Sequence, residues 1–187
     1  MLTPFRSLSP RPGEVAAALP GDNLVPDAGD TGVVMDRAFD LPAPPEAVWP
    51  WFVQLGKDRA GWYLPLAVEL LVPPGRRALR RVEPTLQGLA VGDVIPDWGG
   101  RDAHFEVARL DPPRVLVHRS VRGRMRVSWA IVLAPEGTGA THTRVHLRLR
   151  LGGVRRRRLA EVGGGLVDLL TIAGLAAGLR ERVALPR

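Results

Sequence analysis

Side chains able to do chemistry are thinly spread along these 187 residues, and the histidines are the first to weigh. His142 and His146 lie in a run that alternates like a strand, where four residues span about 13 Å, too far for one zinc to reach both at about 2 Å. That pair is expected on the surface, and no metal site is expected. His104 follows a glycine-flanked loop carrying Trp98, and its ordinary pKa would suit proton transfer, although a lone histidine at a strand edge is more often solvated. Asp58 and Arg59 sit between Gly56 and Gly61, where they could hold a polar ligand group or staple the loop by pairing with each other. The staple is the favoured reading. Asp168 is the one acid in the apolar part of the last segment. Pointing inward it would need a partner or a raised pKa, so a solvent-facing position is the simpler expectation. No GxSxG, HExxH, GxGxxG or GxxxxGK[ST] pattern occurs. Without cysteine there is no disulfide, thiol nucleophile or thiolate metal site, and no cofactor is called for.

Apolar content of 45% with 24% charged residues describes one globular domain with a real core. The net charge of +7 invites a nucleic-acid reading. Against it, the cations are arginine except for Lys57 and are spread over most of the chain apart from Arg155, Arg156, Arg157 and Arg158, a usage that fits a GC-rich codon bias. Net charge speaks to solubility more than to a specific partner. The opening MLTPFRSLSPRPGE has no apolar leader core, and a cytoplasmic protein is expected.

These residues need elements to position them. Residues 1–32 carry little periodicity and read as an irregular arm, with the folded domain over 33–187. Val33 to Leu41 reads as a strand ended by Pro42, Pro44 and Pro45. Val48, Trp51, Phe52 and Leu55 then fall at helical spacing, with a kink or restart expected at Pro50. A second short helix is expected over Trp62 to Leu71. Strands are expected over Gly88 to Ile95, His104 to Leu110, Arg114 to Ser120, Arg126 to Ala134 and Thr141 to Leu151. In the last of these Val145, Leu147, Leu149 and Leu151 face a dry side, while His142, Arg144, His146 and Arg148 are expected to face water. A closing helix follows, continuous from about Leu166 to Val183 because Gly163 to Gly165 weaken its start.

The run APPEAVWPWFVQLGKDRAGWY (Ala43 to Tyr63), together with VGDVIP, FEVARLDPPRVLVHRS and GLRERVA, resembles the SRPBCC, or START-like, superfamily over roughly Val33 to Ala184. The resemblance implies an α+β helix-grip fold, in which a curved antiparallel sheet wraps a long C-terminal helix around an apolar cavity. It places Trp62 and Tyr63 at the cavity mouth, where aromatics with a polar tip make good ligand walls. Trp49 and Trp51 are expected in the core. Trp129 has inward parity and is expected at the core or the ligand wall, while Trp98 is the candidate gating aromatic. LVDLLTIAGLAAG departs from the aromatic closing helices of similar proteins. Its small residues predict room between Trp129 and the surface of Ala173, Ala176 and Ala177.

The function this predicts is binding, transport or sequestration of a hydrophobic or amphipathic small molecule, such as a lipid. One alternative is a polyketide cyclase/dehydratase-like enzyme, which needs inward acids or bases that the sequence does not offer as a convincing set. Another is a protein attracted to anionic membranes through Arg155 to Arg158, without a transmembrane span, since Leu166 to Leu179 is too short and contains Asp168.

Overall fold

The computed structural model describes residues 8–25, 32–100, 102–155, 158 and 160–184. Six strands, β1 (Val33–Leu41), β2 (Val94–Pro96), β3 (His104–Asp111), β4 (Val115–Arg122), β5 (Met125–Glu136) and β6 (His142–Gly152), form one antiparallel sheet in the order β1-β6-β5-β4-β3-β2. Among the described residues four α-helices accompany it: α1 (Pro12–Ala16), α2 (Pro45–Gln54), α3 (Leu66–Glu69) and α4 (Gly165–Val183). α4 packs on β1 and α2, the helix-grip arrangement predicted. Pairing of Trp129 with Leu149, Ile131 with Leu147 and Leu133 with Val145 aligns the apolar rows of β5 and β6 on the gripping face. Ile131, Leu133, Val145 and Leu147 are buried there, as the alternation required.

Several elements differ from expectation, among them α3, which keeps only Leu66–Glu69 of the helix expected over Trp62 to Leu71. α2 runs unbroken through Pro50, because Val48, Trp49, Trp51 and Phe52 all pack into the core and outweigh the roughly 3 kcal/mol that an interior proline costs. β2 keeps only three residues, since Gly92 turns the chain at φ +94° just before it. The closing helix starts earlier than Leu166, as a π-helical turn over Ala160–Gly164 leads directly into α4. The helical stretch Glu161–Val183 is long and apolar enough to cross a membrane by length and composition, unlike the fourteen-residue stretch read from sequence. Here Ile172, Leu175, Ala176 and Leu179 of its second half lie in the core.

The far face of the sheet overturns one expectation. His142 is exposed, but Arg144, His146 and Arg148 are buried, because the segment containing α1 lies across them. Arg148 donates to Asp36 (2.8 Å), to Asp22 (2.9 Å) and to the carbonyls of Glu14, Val15 and Ala17. Arg144 holds Glu14 at 2.7 Å, and His146 Nε2 lies 2.7 Å from Asp36. Burial pushes the Asp36 carboxyl up, yet its contacts with His146 and Arg148 outweigh this and leave it below the usual range. Alternation correctly divided the two faces of β6. It could not show that a polar face was covered by groups of opposite charge.

Candidate ligand-binding site

α4 does not fill the grip along its whole length. Toward its C-terminus small residues let backbones close up: a Cβ on Gly178 would lie 2.7 Å from the backbone of Tyr63 and Leu64, and one on Gly174 would lie 2.7 Å from Leu64 Cδ2. Arg182 then pins this end by pairing with buried Glu69, donating to the carbonyls of Leu79 (2.9 Å) and Leu64 (3.0 Å), and lying 4.5 Å over the Tyr63 ring. Toward the helix N-terminus the packing opens, and a cavity of about 800 Å³ lies between α4 and the sheet. Its floor is Met35, Val127, Leu149 and Leu151 of the sheet, and its helix wall is Val167, Thr171 and Ile172.

Four aromatic rings close one side. Trp62 stacks on Trp129 with centroids 6.0 Å apart and meets Trp98 edge-on at 6.1 Å, while Phe105 lies 6.2 Å from Trp129. Trp62 is held by its indole N–H, which donates to the Thr171 carbonyl of α4 at 3.3 Å. Trp98 is 55% exposed at the rim. The charged groups of the wall are compensated. Asp97 pairs with Arg122, whose guanidinium also lies 5.1 Å over Phe105. Asp168 faces the cavity instead of open solvent, in an ion pair with Arg37 at 2.9 Å. Burial pushes its carboxyl up, and Arg37 opposes this only in part. Such a site holds an apolar body within reach of a few polar groups.

A six-stranded antiparallel sheet gripping its C-terminal helix around an apolar cavity decides the architecture. The chain has the helix-grip fold. Solved structures similar to it include protein MLL2253 from Mesorhizobium loti, at 22% identity over 82% of this chain and 99% of that one, with a TM-score of 0.46. CalU16 from Micromonospora echinospora is 19% identical over 80% of this chain and 83% of its own, with a TM-score of 0.45. A norcoclaurine synthase point mutant from Thalictrum flavum, in complex with a transition-state analogue, is 15% identical over 81% and 94%, with a TM-score of 0.49. These likenesses carry nothing about ligand or reaction to this helix-grip protein. No family model matches the sequence, and no curated protein matches it.

Of the residues singled out from sequence, Trp62, Trp98 and Trp129 come together in the cavity wall. The others do not join them. Tyr63 is fully buried, its hydroxyl donating to the Trp51 carbonyl at 2.9 Å, so it braces the closed end of the grip. Asp58 is exposed at φ +59°, while Arg59 turns inward to the carbonyls of Val53 (3.1 Å) and Leu86 (2.8 Å), so the predicted staple is replaced by backbone bonds. His104 is exposed, with Nδ1 3.0 Å from the Asp102 carbonyl. Ala173 and Ala177 lie outside the cavity lining, because the small residues of α4 serve close packing at its other end. Arg155 and Arg158 are exposed, and Arg156 and Arg157 fall outside the described residues.

Sequence reasoning missed Asp97, Arg122 and above all His118. That imidazole is 5% exposed, stacks on Trp129 at 5.5 Å and meets Phe105 edge-on at 5.9 Å. Burial, aided by the nearby Arg59 charge, pushes its pKa down to about 4, so it is neutral at pH 7. The available signal was strand parity. His118 shares a face with buried Leu116 and pairs in register with Trp129, whose inward direction was legible.

Proposed function

We propose that this protein binds a hydrophobic or amphipathic small molecule in the cavity at the N-terminal end of α4, for transport or sequestration. The observation that carries this is an 800 Å³ space walled by aromatic and aliphatic side chains, large enough for a ligand of several rings. Burial of apolar surface supplies the affinity, at about 25 cal/mol per Å² before the cost of association. Asp97 is tied to Arg122, which leaves the raised Asp168 carboxyl beside Arg37 as a single acid where a cyclase or dehydratase needs a set of acids and bases, and this favours binding. Titration with the apolar fluorophore N-phenyl-1-naphthylamine tests the reading. Saturable enhancement at one equivalent is expected for the wild type, with loss of binding in Leu149→Trp, whose indole occupies the floor. A wild type that leaves the fluorophore unchanged overturns it.

A second reading, contact with an anionic membrane, rests on the exposed start of the closing helix. Val162, Leu166, Val167 and Leu170 lie bare there, close in sequence to exposed Arg155 and Arg158. Apolar side chains flanked by cations suit a lipid surface, and the cations make such binding sensitive to salt. Co-sedimentation with phosphatidylserine vesicles at low and high salt tests it. Equal recovery with neutral vesicles would count against it.

A further inference from the structure

The cavity at the N-terminal end of α4 contains a carboxylate oxygen that nothing holds. Asp97 is not its source, because one of its oxygens pairs with Arg122 and the other accepts the Trp98 backbone N–H at 2.7 Å. The Thr171 hydroxyl donates to the Val167 carbonyl at 2.6 Å, and Arg122 is shared between Asp97 and Ser120. Asp168 differs. Its Oδ2 lies 2.9 Å from Arg37 Nε and is shut off from solvent. Its Oδ1 has no partner among the described residues and is not closed off, in a side chain that lines the cavity and keeps 14% of its surface open. Arg37 does not turn to serve both oxygens, since its other two nitrogens donate to the carbonyls of Asp36 (2.9 Å) and Gly165 (3.1 Å).

An ionised carboxylate only accepts hydrogen bonds, so the group that completes Oδ1 is a donor. Such a bond is stronger than one between neutral groups, and an apolar surround strengthens it further. Charge narrows the class. An anionic group would meet Asp97 and Asp168 in the same lining, with Arg122 and Arg37 already committed to them. A cationic group would be opposed by Arg37, whose guanidinium lies against the other oxygen of the same carboxylate. A neutral O–H or N–H meets neither penalty. Position then sets how the molecule lies. Asp168 stands about one helical turn before Thr171, whose carbonyl holds the Trp62 indole, so a ring seated against Trp62 and Trp129 lies a turn of helix from the open oxygen. Building on the reading that this cavity takes an apolar molecule, we infer that Asp168 is its specificity-determining residue. The ligand has a ring-bearing apolar body against the aromatic wall and one neutral hydroxyl or N–H group that donates to Asp168 Oδ1.

Displacement of bound N-phenyl-1-naphthylamine by 2-naphthalenemethanol, by its methyl ether and by 2-naphthoate tests this, since the three share a ring system and carry a donor, an acceptor alone and an anion. In the wild type the alcohol should displace the fluorophore at about 10-fold lower concentration than the ether, the value of one hydrogen bond to a charged group. Naphthoate should be the weakest of the three. Asp168→Leu, close in shape but unable to accept, should bring the alcohol level with the ether, and Arg37 keeps its two carbonyl partners in that variant. The wild type provides a second readout independent of the variant's folding. Its Asp168 ¹³Cγ resonance should move on addition of the alcohol, with no comparable change for the ether. Equal displacement by alcohol and ether, naphthoate binding as well as the alcohol, a preference retained in Asp168→Leu, or an Asp168 resonance that responds equally to both overturns the role of Asp168 alone. A wild type that binds neither the fluorophore nor any of the three compounds overturns the cavity reading and this inference with it.

Discussion

The two ends of α4 pack against the same sheet in opposite ways. At the C-terminal end Gly174 and Gly178 bring the helix backbone against Leu64, and a buried Arg182–Glu69 pair locks the contact. At the N-terminal end the helix emerges from a π-helical turn, leaves Leu166, Val167 and Leu170 exposed, and borders empty space. One end is clamped so that the other can stay open. Small residues on a helix therefore do not by themselves make a cavity: where a neighbouring backbone can approach, they remove one.

The largest effect should come from breaking the clamp. Glu69→Ala leaves the Arg182 guanidinium, fully buried, without its carboxylate, and removes a partner of Arg80 as well. Removing one member of a buried pair costs about 3–5 kcal/mol, and urea unfolding should show a loss of that size. A loss below 1 kcal/mol would mean that this end is not clamped by charge.

At the open end the corresponding test is pH. His118 ordinarily titrates near 6.5, and burial holds it at about 4, so between those values the unfolded chain binds a proton that the native protein refuses. Stability is therefore full above pH 6.5 and declines as pH falls, approaching a loss of about 3 kcal/mol near pH 4. Glu14 behaves differently on the far face. Its hydrogen bond with Arg144 holds it at about 2 against an ordinary 4.5, so its stabilisation is complete above pH 4.5 and is lost only below. Denaturation measured from pH 7 to pH 5 stays above the range in which Glu14 titrates, and His118→Phe should flatten the profile in that window. An unchanged slope in the variant would place the titrating group elsewhere.

Local pattern made much of this fold legible, and the limits are physical. Strict alternation in β6 fixed which side chains face the grip, since a strand offers each residue only two directions. What covers each face depends on contacts remote in sequence. Arg148 reads as solvated until residues 14–22 are known to lie over it, and Tyr63 reads as a ligand wall until Arg182, far along the chain, lies on its ring. The candidate site was legible in Trp62, Trp98 and Trp129, whose size and positions suggest a wall. His118 had only its parity with Leu116 as a local sign, and its seat under Trp129 depends on a cross-strand register that VLVHRS alone does not set.

The smallest effects, of opposite sign at the two ends, give the sharpest test of the comparison. Alanine is a better helix former than glycine by up to about 1 kcal/mol, so Gly→Ala stabilises a helix wherever the new methyl group has room. At Gly165, the first residue of α4, an added Cβ meets nothing within 4 Å, and Gly165→Ala should raise stability by up to that amount. At Gly178 the same methyl would lie 2.7 Å from backbone atoms of Tyr63 and Leu64, which cannot swing aside as a flexible side chain could. The helix would have to shift away from that segment, and overpacking of this kind costs about 1–3 kcal/mol, more than the propensity gain. Thermal unfolding of the two variants should therefore move in opposite directions. The displacement at Gly178 also strains the Arg182 contacts one turn further on, so combining it with Glu69→Ala should give less than the sum of the two losses, as neighbouring sites in one contact do. Strict additivity would show that the close approach and the charge pair act independently, and matching stabilisation by both alanines would show that the clamped end has slack enough to admit a methyl group.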